Sequence, residues 1–184
     1  MVTAPHPKPD LGGIHAVLYA LFDREERLDL NAMRDQAALM MSLGMDGITV
    51  LGLATEVQKL DLEERLSVIR QVGKTVAGSL AYSVTVSGNS VAEQRRLTEY
   101  AIDHGADLVI LQPPLVGQFH SSEYISFFLR VADGFDVRFA IQNAPQYLGR
   151  ALTDDDIAQL TSANPMFQVV KAECSAIDLA NLSR

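Results

Sequence analysis

Cysteine is almost absent: Cys174 is the single one in 184 residues, so no internal disulfide framework holds the chain together. Basic residues are also scarce. Fifteen Lys and Arg against 23 Asp and Glu leave a formal charge of −8. Phosphate recognition needs a basic face, so this balance argues against a nucleic-acid or anionic-membrane partner and leaves room only for a local basic pocket. No segment approaches the roughly 20 consecutive apolar residues of a membrane helix. Met1 to Asp10 holds Pro5, Pro7 and Pro9 and no apolar run, so it reads as neither signal peptide nor anchor. A cytoplasmic protein is expected. His6, His15, His104 and His120 are scattered without ligand spacing, so no metal is expected. Heptads and low-complexity tracts are missing, as are the glycine spacings of Walker and dinucleotide loops.

What is present is ordinary globular material, 48% hydrophobic and 21% charged, arranged with a clear rhythm. Gly13 to Leu21 is a short apolar strand candidate. Asp29 suits the N-cap of a helix to about Leu43, with apolar Leu30, Met33, Ala37, Met40 and Met41 at helical spacing and Gly44 suited to the left-handed position after it. Gly47 to Leu51 is the second strand. Asp61 and Glu64 form a capping box for a helix to about Val76. Leu80 to Val86 is a strand, and Ser90 with Glu93 caps a helix ending before Gly105. Ala106 to Leu111, a helix over Ser122 to Asp133, and Val137 to Gln142 follow. Thr153-Asp154-Asp155-Asp156 opens another helix, placing acids at its positive end, and Phe167 to Lys171 is the sixth strand.

Strand and helix thus alternate with a period of about 30 residues, the length of a βαβ unit. Near-continuous apolar strands are those of a parallel sheet covered on both faces. Two α/β architectures fit: a doubly wound sheet, or a (β/α)8 TIM barrel of which this chain holds about the first six units. A full barrel takes about 250 residues, and six strands cannot close it. On the barrel alternative, a leader over residues 1–12 is followed by an incomplete single barrel domain over 13–184 that belongs to a longer protein; a doubly wound sheet of six strands would be self-contained.

Reactive groups in such folds stand at the carboxyl ends of strands, which directs attention to Lys171. A strand-end lysine that loses water presents an amine able to condense with a carbonyl; equally, it can be an ordinary lysine reaching solvent. Gly52-Leu53-Ala54-Thr55-Glu56 after the second strand forms a small-residue loop whose amides a ligand can approach. Gln142 and Asn143 close the fifth strand and can hydrogen-bond a substrate, although Asn before a proline turn also serves structure.

Several landmarks fall together in order: Gly52 to Leu60, Gln112-Pro113, Asn143-Ala144-Pro145 with Gly149, and Val170-Lys171. In these the chain resembles the dihydrodipicolinate synthase and N-acetylneuraminate lyase family of Schiff-base aldolases on a (β/α)8 barrel, over about Gly13 to the end. The resemblance implies that Lys171 forms an imine with pyruvate or a related 2-keto acid, that no cofactor or metal is used, and that the protein is a homo-oligomer, tetramer or dimer. The departures are equally specific. The proton-shuttling tyrosine before Asn-x-Pro is Gln142, which cannot act as an acid or base at neutral pH. The paired threonines are Leu53 and Ala54, with Thr55 displaced by one; the tyrosine after strand four aligns with Leu115, and an arginine with Tyr147.

The expected function is therefore a Schiff-base lyase of aldolase or dehydratase type, distinct from a true dihydrodipicolinate synthase. Lys171 and Gln142 are its catalytic candidates, and Leu53, Ala54, Thr55 and Asn143 its substrate-binding ones. Water, Thr55, Glu56, Glu173 or the substrate carboxylate would move protons, with Glu56 also able to brace its loop and Glu173 to pair with a cation. The chain by itself is expected to lack residues that activity requires. A non-catalytic relative that binds a small organic acid is the competing reading, motivated by the lost tyrosines and threonines.

Overall fold

A computed structural model of the chain describes residues 9–117, 119–149 and 151–175. Of the expected leader, residues 1–8 lie outside the described residues. The chain divides into two compact units, Met1–Val84 with His104–Asp107, and Thr85–Asp103 with Leu108–Arg184.

In the first unit, strands β1 (His15–Val17), β2 (Gly47–Val50) and β3 (Ala81–Val86, whose last two residues fall in the second unit) pair in parallel and in chain order. Close pairing of β1 with β2 depends on Gly47, because a Cβ there would lie 2.2 Å from the His15 ring. β1 is shorter than the apolar run predicts. Leu18 still donates to the Thr49 carbonyl, but the Tyr19 amide turns to the Gln36 side chain, which ends the ladder.

Helix α1 (Leu30–Ser42) starts where Asp29 accepts from the amides of Asn31 and Ala32 and stops at Gly44, whose φ is +75°. It buries Met33 and Ala37 completely. Helix α2 (Leu62–Val76) begins with the expected reciprocal box: Asp61 accepts from the Glu64 amide at 2.8 Å, and Glu64 accepts from the Asp61 amide at 2.9 Å. Its buried stripe, Leu66, Val68, Ile69, Val72 and Val76, recurs at helical spacing, the pattern of a helix that covers a sheet face. Every residue of β2 and β3 is buried, as parallel strands covered on both faces require.

The second unit pairs β4 (Leu108–Leu111), β5 (Arg138–Asn143) and β6 (Phe167–Ala172), again in parallel and in chain order. Its helices are α3 (Val91–Asp103), α4 (Ser121–Ala132), α5 (Pro145–Leu148) and α6 (Asp154–Ala163). At α3, Ser90 accepts from the Glu93 amide as expected, but Glu93 reaches back to the amide of Asn89. At the expected start of α6, Thr153 accepts from the Asp156 amide at 3.3 Å and Asp156 accepts from the Thr153 amide at 2.9 Å, a reciprocal box.

Helix α5 is an addition to the five expected helices. Proline at its first position sacrifices no hydrogen bond, and Gly149 at φ +66° closes it after one turn. The β5–β6 register shifts between Phe139 and Ala140: Phe139 pairs with Phe167, and Ala140 with Val169. Gln168 is thus the extra residue of a bulge. That bulge sets the site, because it brings Lys171 opposite Gln142 and Ala172 opposite Asn143. Without it Lys171 would stand one place further along β5.

Candidate active site

Lys171 sits near the carboxyl end of β6 with 24% of its side-chain surface exposed. The expectation of a fully buried strand is therefore corrected. Among the described residues β6 pairs with β5 alone, and Val169 through Ala172 are only half-buried.

The Lys171 ammonium is paired with the carboxylate of Glu173. Residues two apart on a strand point to the same face, which is why Glu173 meets Lys171 rather than the opposite layer. The β5–β6 pairing continues through the Glu173 amide, which donates to the Asn143 carbonyl at 3.0 Å. Gln142 Nε2 donates to the same Glu173 oxygen at 2.7 Å, and Gln142 Oε1 accepts from Gln112 Nε2 at 2.8 Å. Gln112 follows β4 and is completely buried; Gln142 is 3% exposed. A continuous polar chain therefore runs Gln112–Gln142–Glu173–Lys171 across the strand ends of this unit. Burial of both glutamines makes their orientation costly to change, since an amide without its partner would lie dry.

Asn143 is differently occupied. Its amide nitrogen donates to the Leu152 carbonyl at 3.0 Å and its amide oxygen accepts from the Leu152 amide at 3.1 Å. The side chain braces the segment after α5 at both polar atoms. Leu115 donates its amide to Asn89 Oδ1 and is partly exposed; Tyr147, on α5, is 69% exposed. Gln142 also lines an apolar cleft with Pro113, Tyr124, Phe128, Ile141 and Leu152.

Leu53, Ala54 and Thr55 form a single 3₁₀ turn in the first unit. The Thr55 hydroxyl is buried and donates to the Leu18 carbonyl at 2.6 Å, tying the loop to the end of β1. Glu56 closes the turn at φ +56° and forms an exposed ion pair with Lys59 at 2.8 Å, the bracing role open to it from sequence. Leu51, just before the loop, is also left-handed at φ +60°. Two non-glycine residues in that conformation within six positions mark a backbone held in shape by its surroundings, a feature that concentrates at ligand sites. His15 lies in β1 against Gly47, a packed position, and no group of three or more ligating side chains occurs among the described residues. No helix among them is long and apolar enough to cross a membrane.

Gln112 was legible as a landmark but carried no role in the sequence. Its signal, a polar residue directly after an apolar strand, recurs at many strand ends and does not identify a partner. Glu173 was readable as a neighbour of Lys171 through the two-residue strand period; its bond to Gln142 was not.

The fold is thus α/β with parallel strands, and it carries a lysine, a carboxylate and an amide at the ends of neighbouring strands. Residues 10–182 match the Dihydrodipicolinate synthetase family, and the chain belongs to that family. A 4-hydroxy-tetrahydrodipicolinate synthase of Methanosphaerula palustris is 30% identical over 139 residues, covering 76% of this chain and 47% of the relative. An N-acetylneuraminate lyase of Salmonella paratyphi B is 28% identical over 153 residues, covering 83% of this chain and 52% of the relative. Among solved structures, a prophage protein of the same family from Escherichia coli K12, in complex with pyruvate, superposes with a TM-score of 0.86 at 22% identity. That match covers 91% of this chain and 56% of the other. The chain spans about half the length of the curated relatives it matches. Its architecture is that of the first six βα units of a (β/α)8 barrel.

Proposed function

We propose that the protein is a Schiff-base-forming lyase, of aldolase or dehydratase type, acting on pyruvate or a related 2-keto acid. The observation that carries this reading is Lys171 at the end of β6 with a carboxylate bonded to its amine, in a chain of a family whose relatives include a synthase and a lyase. The Lys171 amine attacks the keto carbon and loses water to form an imine. Once protonated, the imine draws electrons from the adjacent carbon, which can then exchange a proton or break a bond.

Neither metal nor organic cofactor is needed for that chemistry. Leu53 and Ala54 offer their amides to the keto-acid carboxylate, because the first amides of a 3₁₀ turn lack partners within the turn and suit an anion, whereas the Thr55 amide donates to the Gly52 carbonyl at 3.1 Å. Because the Thr55 hydroxyl is given to Leu18, its role there is to hold the loop. Gln142 lies beside the imine as an orienting amide, since it cannot exchange protons itself. Asn143 supports the site through its bonds to Leu152. A cytoplasmic location and a homo-oligomer belong to the same proposal.

A second reading, a non-catalytic binder of small organic acids, is favoured by one observation: a glutamine stands where the family's tyrosine works. Turnover across a panel of 2-keto acids by the intact protein separates the two. The lyase reading expects turnover that Lys171→Ala abolishes. Ligand binding retained in Lys171→Ala, with no turnover by the wild type, would contradict it.

A further inference from the structure

We infer that Glu173 is the proton-transferring residue of this site, replacing the missing tyrosine, and that Gln142 and Gln112 are its positioning residues. The inference deepens the lyase reading and rests on it. A lysine must be neutral to attack a carbonyl, so the ammonium has to pass one proton to a base in contact with it. Glu173 is bonded directly to Lys171 Nζ.

The steps balance through this one carboxyl group. Lys171 ammonium gives a proton to the Glu173 carboxylate, producing a neutral amine and a carboxylic acid. The amine adds to the keto carbon, the carbon–oxygen double bond opens, and the amine proton moves to that oxygen to give a carbinolamine. Glu173 then protonates the hydroxyl, which leaves as water while the nitrogen lone pair forms the protonated imine. The carboxylate is regenerated, and the net change is ammonium plus ketone to protonated imine plus water. No oxidant, reductant or further reactant enters.

Geometry assigns the supporting roles. Gln142 cannot donate to Glu173 in the opposite amide orientation; the acceptor-only carboxylate takes its Nε2, and Gln142 Oε1 then accepts from the fully buried Gln112 Nε2, which supports that orientation. A tyrosine hydroxyl at position 142 would itself exchange protons; the amide instead holds the group that does. The proton-handling function has moved from β5 to Glu173, just past the end of β6 and two places beyond the lysine.

The test uses the intact natural protein, with pyruvate and borohydride as the probe and the rate of irreversible adduct formation on Lys171 as the readout, followed across pH. Glu173→Gln keeps the size and a hydrogen-bonding amide but removes the exchangeable carboxyl. It is expected to slow trapping by about 100-fold or more, the usual contribution of a positioned acid–base group, and to make the rate rise more steeply with pH, because the ammonium must then lose its proton to solvent base. Glu173→Ala supplied with formate is expected to recover part of the lost rate, which a purely structural role would not allow. Wild-type trapping with an unchanged Glu173→Gln rate and pH profile would overturn the inference and leave the lyase reading standing. A loss in Glu173→Ala that formate does not touch, in protein of native circular dichroism, would overturn it as well. Absence of any adduct in the wild type would overturn the lyase reading itself, and the inference with it.

Discussion

At the scale of single residues, the site separates into groups available for chemistry and groups committed to structure. Asn143 is committed. Both polar atoms of its side chain bind Leu152, and the residue is 8% exposed. Asn143→Leu leaves the Leu152 amide and carbonyl without partners and is expected to destabilise the fold by about 1–3 kcal/mol, read as a lower urea midpoint. Tyr82 is committed too: its hydroxyl donates to the Ile69 carbonyl at 2.9 Å, and burial pushes its ionisation far above the ordinary 10.0. A raised value means that the folded state keeps the proton while the unfolded chain releases it. The contribution of Tyr82 is therefore complete below about pH 10 and is lost as pH rises beyond it. Thermal midpoints should fall above that pH in the wild type and less steeply in Tyr82→Phe.

At the scale of elements, caps and close approaches decide what the chain tolerates. The Asp156 carboxyl lies below its ordinary 3.8, chiefly because the Thr153 amide donates to it, with help from the hydroxyls of Thr153 and Ser121. A lowered value favours the ionised form in the folded state, so this contribution is present above about pH 4 and lost as pH falls through the folded-state value. Solvent screening keeps it small at this exposed helix start. Thr153→Ala should cost about 1 kcal/mol in chemical denaturation, the usual worth of an N-cap. Gly73 makes the opposite point. Alanine favours a helix by about 1 kcal/mol over glycine, yet a Cβ at position 73 would lie 2.2 Å from the His104 carbonyl oxygen. Gly73→Ala is therefore expected to lower the melting temperature in spite of its better propensity.

Helix starts were legible for a physical reason: Asp29, Asp61 and Thr153 satisfy amide groups within their own turn, so the signal is local. Helix α5 and the bulge at Gln168 were not legible. A one-turn helix shows no apolar period, and a bulge depends on the partner strand, here through the Phe139–Phe167 ring contact at 5.4 Å that pins the register before it.

At the scale of the whole molecule, the parallel strand order and the family could be read from the order of motifs, because each βα unit announces itself locally. The polar chain from Gln112 to Lys171 could not, because it joins three strands whose register no single stretch of sequence specifies. Lys171 is where both readings converge, and imine formation there is the central claim. The most direct test is to treat the intact protein with pyruvate and borohydride, digest it, and locate the adduct by mass spectrometry. A reduced pyruvyl adduct is expected on Lys171 and none on Lys59 or Lys74. Folded, pyruvate-binding protein whose Lys171 stays unmodified would contradict it.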